Sequence, residues 1–378
     1  MIRKKIEARS NWKNKVEELG FSYHSLDDTI YWDENVCYEF NYEQITILEN
    51  ATNEIYRICI EAVDHIIKFN LYNEFLIPEK FIPFIEKSWE DDLPSIYGRF
   101  DLSWNGQFEQ DPKLLEFNAD TPTSLFEAAV VQWFWLEEFN KNFDQFNSIH
   151  EKLIESWKYI SHRFKNSALY FSCIQRFPED YINTAYLRDC AMQAGIETNF
   201  IDVQDIGFNK NCFVDKTSKE VKNIFKLYPW EWMMNEPFGE FLPNAETLWI
   251  EPPWKMLLSN KAILPLLWKL FPGHPNLLET YFNSPHKMKD FVEKPLFSRE
   301  GANVCLVENL SKILQTPGEY GDEGFIYQEL CKLPEFDANY PVIGSWVIGG
   351  EAAGIGIRES NTLVTDNFSR FVPHYIFK

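Results

Sequence analysis

Between Tyr97 and Ser124 the chain reads YGRFDLSWNGQFEQDPKLLEFNADTPTS, setting an arginine, several acids, an asparagine and hydroxyl residues among short apolar runs. Arg99 and Asp101 are two residues apart, as are Glu116 and Asn118. In an extended strand alternate side chains share a face, so both pairs can look at one ligand. Asp101, Glu116 and Asn118 are hard oxygen donors of the kind Mg²⁺ takes together with water and phosphate oxygens. The competing reading is two solvated strand acids with a turn asparagine, and spacing alone leaves both open.

Later segments add cations and backbone. Glu293-Lys294-Pro295 followed by SREGANV, Ser298 to Val304, reads as a strand lysine and a loop whose N–H groups could close over phosphates. Its one glycine, Gly301, makes no Walker A motif, and an ordinary hairpin turn is the alternative. YQELCKLPEF, Tyr327 to Phe336, puts Gln328 and backbone groups where an adenine-reading hinge between lobes would lie, or is simply a strand end. GIGIRES sets Arg358 at the end of an apolar strand, within reach of a transferring phosphoryl group or out in solvent. No serine sits in a GxSxG elbow and no cysteine in a local protease signature. His150, His162, His274, His286 and His374 make no HExxH spacing, and VVQWFWLEEF reads as core.

These groups need a large scaffold. With 378 residues, an aromatic share of 16% and a charged share of 25%, the chain predicts one large α/β unit or two to three closely packed subdomains. A net charge of -21 repels nucleic acid and anionic lipid, so neither is expected as a partner. An anionic substrate then requires a local basic pocket, which directs attention to Arg99, Lys261, Lys294, Arg299 and Arg358. Seven scattered cysteines without a CxxC pair predict reduced thiols. The N-terminus lacks an apolar h-region and no run is long enough to span a bilayer, so the expected location is the cytoplasm.

Along the chain, Arg3 to Leu19 predicts a charged helix and Tyr42 to Leu71 an amphipathic one through Ile45, Leu48, Ile55, Ile58 and Ile66. Tyr97–Trp104 and Lys113–Asn118 predict a hairpin, with turn signals at Asn105-Gly106 and Asp111-Pro112, and Glu127–Phe139 a buried helix. ALYFSCI, a helix around Tyr181 to Ala194 and TNFIDV give the strand, helix, strand order of a parallel α/β insert. Lys255 to Leu270 predicts a helix, and Lys294–Val307, Phe325–Glu329, Tyr340–Ile348 and Gly354–Ile357 predict a sheet-rich lobe.

Taken in order, YGRFDL, LLEFNADTPTS, the predicted helix with Lys261, EKPLFSREGANV, YQEL and GIGIRES resemble the synthetase domain of the glutathionylspermidine synthase family over most of the chain. The resemblance implies an α/β (α+β) ATP-grasp fold with a helical N-terminal part and an inserted parallel, pre-ATP-grasp-like subdomain. Its implied divisions are residues 1–90 (helical), 91–165 (metal- and substrate-site strands with helices), 166–250 (the parallel insert) and 251–378 (nucleotide-binding lobes). It further implies an ATP- and Mg²⁺-dependent carboxylate–amine ligase acting through an acyl phosphate, with a peptide or amino-acid acid and an amine, such as a polyamine, as partners. By resemblance Asp101, Glu116 and Asn118 hold Mg²⁺, and Lys261, Lys294, Glu300 and Gly301 hold and cover the ATP phosphates. Gln328, Glu329, Leu330 and Cys331 take the adenine, and Arg99 and Arg358 serve the reacting anion. Thr121, Thr123, Glu179 and Asp180 stand in the acid-substrate pocket. Leu227 departs from the family by replacing a polar residue there, which puts glutathione itself in doubt as the acid. The chain also lacks the amidase domain of bifunctional members, so product hydrolysis is not expected. The rival expectations are a nucleotide-binding regulatory or scaffold protein that has lost ligation, and a phosphotransferase with no amine step.

Overall fold

The computed structural model describes residues 1–378 apart from 27, 28, 166, 367, 368 and 378. Its centre is a five-stranded antiparallel sheet in the order Arg370–Val372, Glu351–Ser360, Tyr340–Ile348, Tyr97–Ser103, Lys113–Asn118. The hairpin predicted around Asn105-Gly106 is therefore joined edge-on to Tyr340–Ile348, far along the chain. Register sets Arg99 opposite Asn118 and Asp101 opposite Glu116, while Trp346 and Gly344 lie beside Arg99 and Asp101 on the other flank. One bulge, after Asp101, follows this pairing.

The helix Tyr42–Phe69 covers this sheet. Its start is fixed by a capping box in which Asn41 and Gln44 exchange side-chain bonds with each other's backbone N–H, and it ends at Asn70 in the left-handed conformation. Ile45, Leu48, Ile55, Ile58, Val63 and Ile66 form the buried stripe, and Thr52 bonds Ser345 of the sheet at 2.6 Å.

A second antiparallel sheet runs Thr280–Phe282, Phe325–Glu329, Phe291–Pro295, Cys305–Glu308, Ser311–Gln315. The predicted insert is a four-stranded sheet, Leu248–Ile250, Asn223–Lys226, Leu169–Cys173, Thr198–Asp202, with every pair parallel and the helix Pro178–Gln193 crossing over between two strands. All seven cysteines are unpaired. No helix among the described residues is long and apolar enough to cross a membrane.

Three expectations need correction. Arg3–Leu19 is not one helix: Ile2–Lys5 is a strand paired with Val36–Phe40, and only Trp12–Glu18 is helical. The N-terminal 90 residues thus contribute strands as well as helices. Lys255–Leu270 breaks at Asn260, whose extended backbone is held by its amide bonding Phe75 O at 2.8 Å and accepting Ala262 N at 2.9 Å. Lys261 therefore sits in a turn, not in a helix. The strand lysine and glycine loop expected from Lys294 onward hold: the strand ends at Pro295, Gly301 lies in the turn that follows, and a strand resumes at Cys305.

Candidate active site

Arg99 and Asp101 project to one side of their strand, as period two requires, and meet: Arg99 Nε lies 2.7 Å from Asp101 Oδ1. Arg358, from the strand two places along the sheet, donates to Asp101 Oδ2 at 3.0 Å. One carboxylate is thus flanked by two guanidiniums. Asn118, across the hairpin, donates weakly to both Asp101 and Glu116 at 3.3 Å, which shows the two acids to be neighbours. Lys261 reaches Glu116 at 3.3 Å.

Lys294, on the strand Phe291–Pro295, is buried and donates to Gln328 Oε1 at 2.6 Å and to the Leu115 carbonyl at 3.0 Å. Burial lowers its pKa to about 8, against the opposing pull of Glu116. Burial alone would raise the Glu116 carboxyl, but Lys261, Lys294 and Arg99 more than offset it and hold it well below the ordinary range. Glu116 is therefore an anion across the working pH range.

Two cavities meet at these residues. One, of about 340 Å³, is lined by Val292, Lys294, Leu306, Leu330, Cys331 and Val342 among others. The other, of about 650 Å³, is lined by Arg99, Thr121, Thr123, Glu179, Asp180 and Leu227 among others. Asp101, Glu116, Lys261, Ser298, Gly301 and Thr365 line both. Both volumes suit small molecules. The turn Ser298–Gly301 roofs the junction; Gly301 has φ +69, and a Cβ there would stand 2.7 Å from the Thr365 carbonyl, so the close approach needs glycine. Arg299 extends this roof sideways, bonding Thr121 Oγ1 at 2.9 Å and Glu231.

The larger cavity also carries an acidic pair. Glu179 and Asp180 begin the helix Pro178–Gln193. Burial raises both carboxyl pKa values, Asp180 to about 7, with Glu179 adding to the shift of Asp180. Thr123 serves through its carbonyl, which accepts Arg99 Nη1 at 2.6 Å.

Every candidate named from the sequence lines one cavity or the other. Gln328, however, spends its side chain on Lys294 and on the Leu114 carbonyl at 3.2 Å. Sequence reasoning missed Tyr23, Tyr31, Asp120 and Glu231, which also line the larger cavity. Tyr23 and Tyr31 both donate to the fully buried Glu127 Oε1, at 3.0 and 2.8 Å. Asp120 stands inside NADTPTS, where its position beside Asn118 was the available signal; the tyrosines carried none.

Clusters of three or more His, Cys, Asp or Glu arranged for a metal are absent among the described residues. Two carboxylates and one amide are still the hard-oxygen set that Mg²⁺ accepts when phosphate and water complete its shell, so these residues fit that ion.

A sequence profile for the family described as glutathionylspermidine synthase preATP-grasp matches residues 3–377. The chain belongs to this family. It is 42% identical over 385 residues to a Haemophilus influenzae protein named "Putative acid--amine ligase", covering 97% of each. It is 26% identical to a trypanothione synthetase of Crithidia fasciculata, covering 97% of this chain and 61% of that one. With a bifunctional glutathionylspermidine synthetase/amidase of Escherichia coli the identity is 28%, over 88% of this chain and 58% of the relative. The chain thus spans about three-fifths of these two longer relatives. Among solved structures, a glutathione synthetase-like effector from Globodera pallida superposes with a TM-score of 0.55 at 11% identity, over 92% of this chain and 90% of that one, a likeness of fold. The fold is ATP-grasp, and the family is one of ATP-dependent C–N ligases.

Proposed function

We propose that this ligase activates an ammonium-bearing acid, a peptide or amino acid, as an acyl phosphate and joins it to an amine. The observation carrying this reading is the junction itself: Asp101, Glu116, Lys261 and Gly301 wall both cavities, so a phosphate leaving one arrives in the other.

In this reading the smaller cavity takes ATP. Val292, Leu306 and Val342 sandwich the adenine, and Glu329–Cys331 border it. Lys261 and Lys294 draw the phosphates to the junction, and the Glu300-Gly301 turn covers them. Asp101, Glu116 and Asn118 would hold Mg²⁺, which when bound offsets phosphate charge. Arg99 and Arg358 orient the acid carboxylate against the γ-phosphorus and stabilise charge building on the transferring group. The carboxylate oxygen bonds phosphorus as the bridge to ADP breaks. The amine nitrogen then bonds the carbonyl carbon, phosphate departs with that oxygen, and the nitrogen gives up a proton.

Glu179 and Asp180, which line the larger cavity, suit the ammonium of the acid substrate, while Thr121 and Thr123 line the same cavity. Leu227, almost fully buried in the same wall, offers no hydrogen bond and favours an acid with an apolar group there. The strongly negative protein draws cationic amines toward the site.

An ATP-consumption screen crossing small peptides and amino acids with polyamines and other amines tests the reading. ADP release that requires both partners, with a product mass equal to acid plus amine minus water, supports it. ATP binding without turnover across the screen favours a regulatory protein, and a released phosphorylated acid favours a phosphotransferase.

A further inference from the structure

The segment Ala119–Ser124 follows Asn118 directly and forms one wall of the larger cavity. It has no regular structure, and Ser124 sits at φ 64, a conformation that side chains other than glycine adopt only when their surroundings impose it. The same segment carries one half of a buried ion pair. Asp120 accepts Lys226 Nζ at 2.5 Å through Oδ1 and the Trp230 N–H at 3.0 Å through Oδ2. Lys226 ends a strand of the parallel sheet, and Trp230 opens the short helix beyond it. Their side chains are 1% and 0% exposed for Lys226 and Asp120, and the ammonium lies 4.5 Å from the Trp230 ring centroid.

Two facts turn this pair from packing into a device. The pair ties together two segments that line the same cavity: Asp120, Thr121 and Thr123 from one, Leu227, Tyr228 and Glu231 from the other. And a buried ion pair is poor value as a stabiliser, since an apolar pair of the same volume holds a core as well or better. What charge supplies here is a fixed two-point geometry: both oxygens of one carboxylate are committed, so the loop cannot rotate or slide relative to residues 226–230.

We propose that Asp120 and Lys226 are positioning residues that set the width of the acid-substrate cavity. The pair touches no reacting atom. It acts through Thr123, whose carbonyl carries Arg99 Nη1, and through Thr121, which carries Arg299. The inference rests on the ligase reading for its kinetic consequence and on geometry alone for its structural one. Loss of the pair loosens the acid end and leaves the nucleotide cavity, which neither residue lines, as it was.

The test compares the wild type with the double variant Asp120→Asn, Lys226→Met, which removes both charges so that neither is stranded. Glutathione with spermidine, or the pair that the ATP-consumption screen selects, serves as probe. The expected result is KM for the acid raised about tenfold or more with KM for ATP within about twofold, because misplacement of substrate by a fraction of an ångström acts on the acid alone. Wild-type KM for the acid in a folded double variant overturns the proposal, and so does a parallel rise in both KM values, which marks general disruption. Hydrogen exchange on the wild type gives a readout independent of folding of the variant and of the ligase assignment. The amides of 119–126 and 226–230 should open as one protected unit, and free exchange of 119–126 against a protected 226–230 overturns the strut. An absence of acid-dependent ADP release in the wild type itself would count against the ligase reading and leave the exchange result to stand.

Discussion

Arg358 Nη2 lies 3.0 Å from Asp101 Oδ2 across 257 positions of chain, and the same carboxylate accepts Arg99 Nε at 2.7 Å. Asp101 thus bridges two guanidiniums that the ligase reading assigns to the reacting anion. Arg358→Lys keeps the charge but loses the planar fork. Its turnover should fall about 10²-fold or more, as loss of an aimed donor does elsewhere. ADP release measures this; an unchanged rate would remove Arg358 from the chemistry.

Glu116 is an anion held by Lys261, Lys294 and Arg99. Glu116→Gln preserves volume and removes a charge from the oxygen set. The magnesium concentration giving half-maximal ATP turnover should rise at least about tenfold, the least that even the supports of metal ligands cost when removed. A magnesium titration of ATP turnover reads it, and superimposable curves would contradict the assignment.

Lys294 titrates near 8 because burial disfavours its charge; Glu116 and Asp101 oppose that, and Lys261 reinforces it. The free enzyme therefore loses this cation as pH rises, and kcat/KM for ATP should drop roughly tenfold per unit above pH 8. Lys294→Arg, charged throughout that range, should abolish the drop. An alkaline limb that persists in the variant belongs to another group.

Glu127 is buried with Oε2 unpaired and Oε1 shared by Tyr23 and Tyr31, and burial beside Glu179 raises its pKa to about 7. A raised folded-state pKa contributes stability fully below pH 4.5, and that stability is lost as pH climbs through 7. Glu127→Gln removes the titration. Its melting temperature relative to wild type should therefore improve from pH 5 to pH 8, by an amount corresponding to on the order of 1–3 kcal/mol. Thermal scans at the two pH values decide it, a constant difference being the contrary result.

Much of the site was legible because it obeys local rules. Period two put Arg99 with Asp101 and Glu116 with Asn118, and turn residues closed the hairpin, so register alone completed the cluster. The parallel insert was legible from strand–helix–strand order. What escaped depends on partners distant in sequence. Arg3 looked like a helix residue because nothing nearby announces that its guanidinium is buried against Glu359, 356 positions away, at 2.9 and 2.8 Å. Nor could Lys226 announce Asp120, since each is an ordinary charged residue until the sheet and the loop are brought together. Asn260 broke a predicted helix through bonds to Phe75, again invisible locally.

The most direct test of the central claim uses the selected acid with ¹⁸O in its carboxylate, run to completion with ATP and the amine. Ligation through an acyl phosphate should deliver one ¹⁸O per product into inorganic phosphate. Unlabelled phosphate from a reaction that still makes the amide would contradict the account.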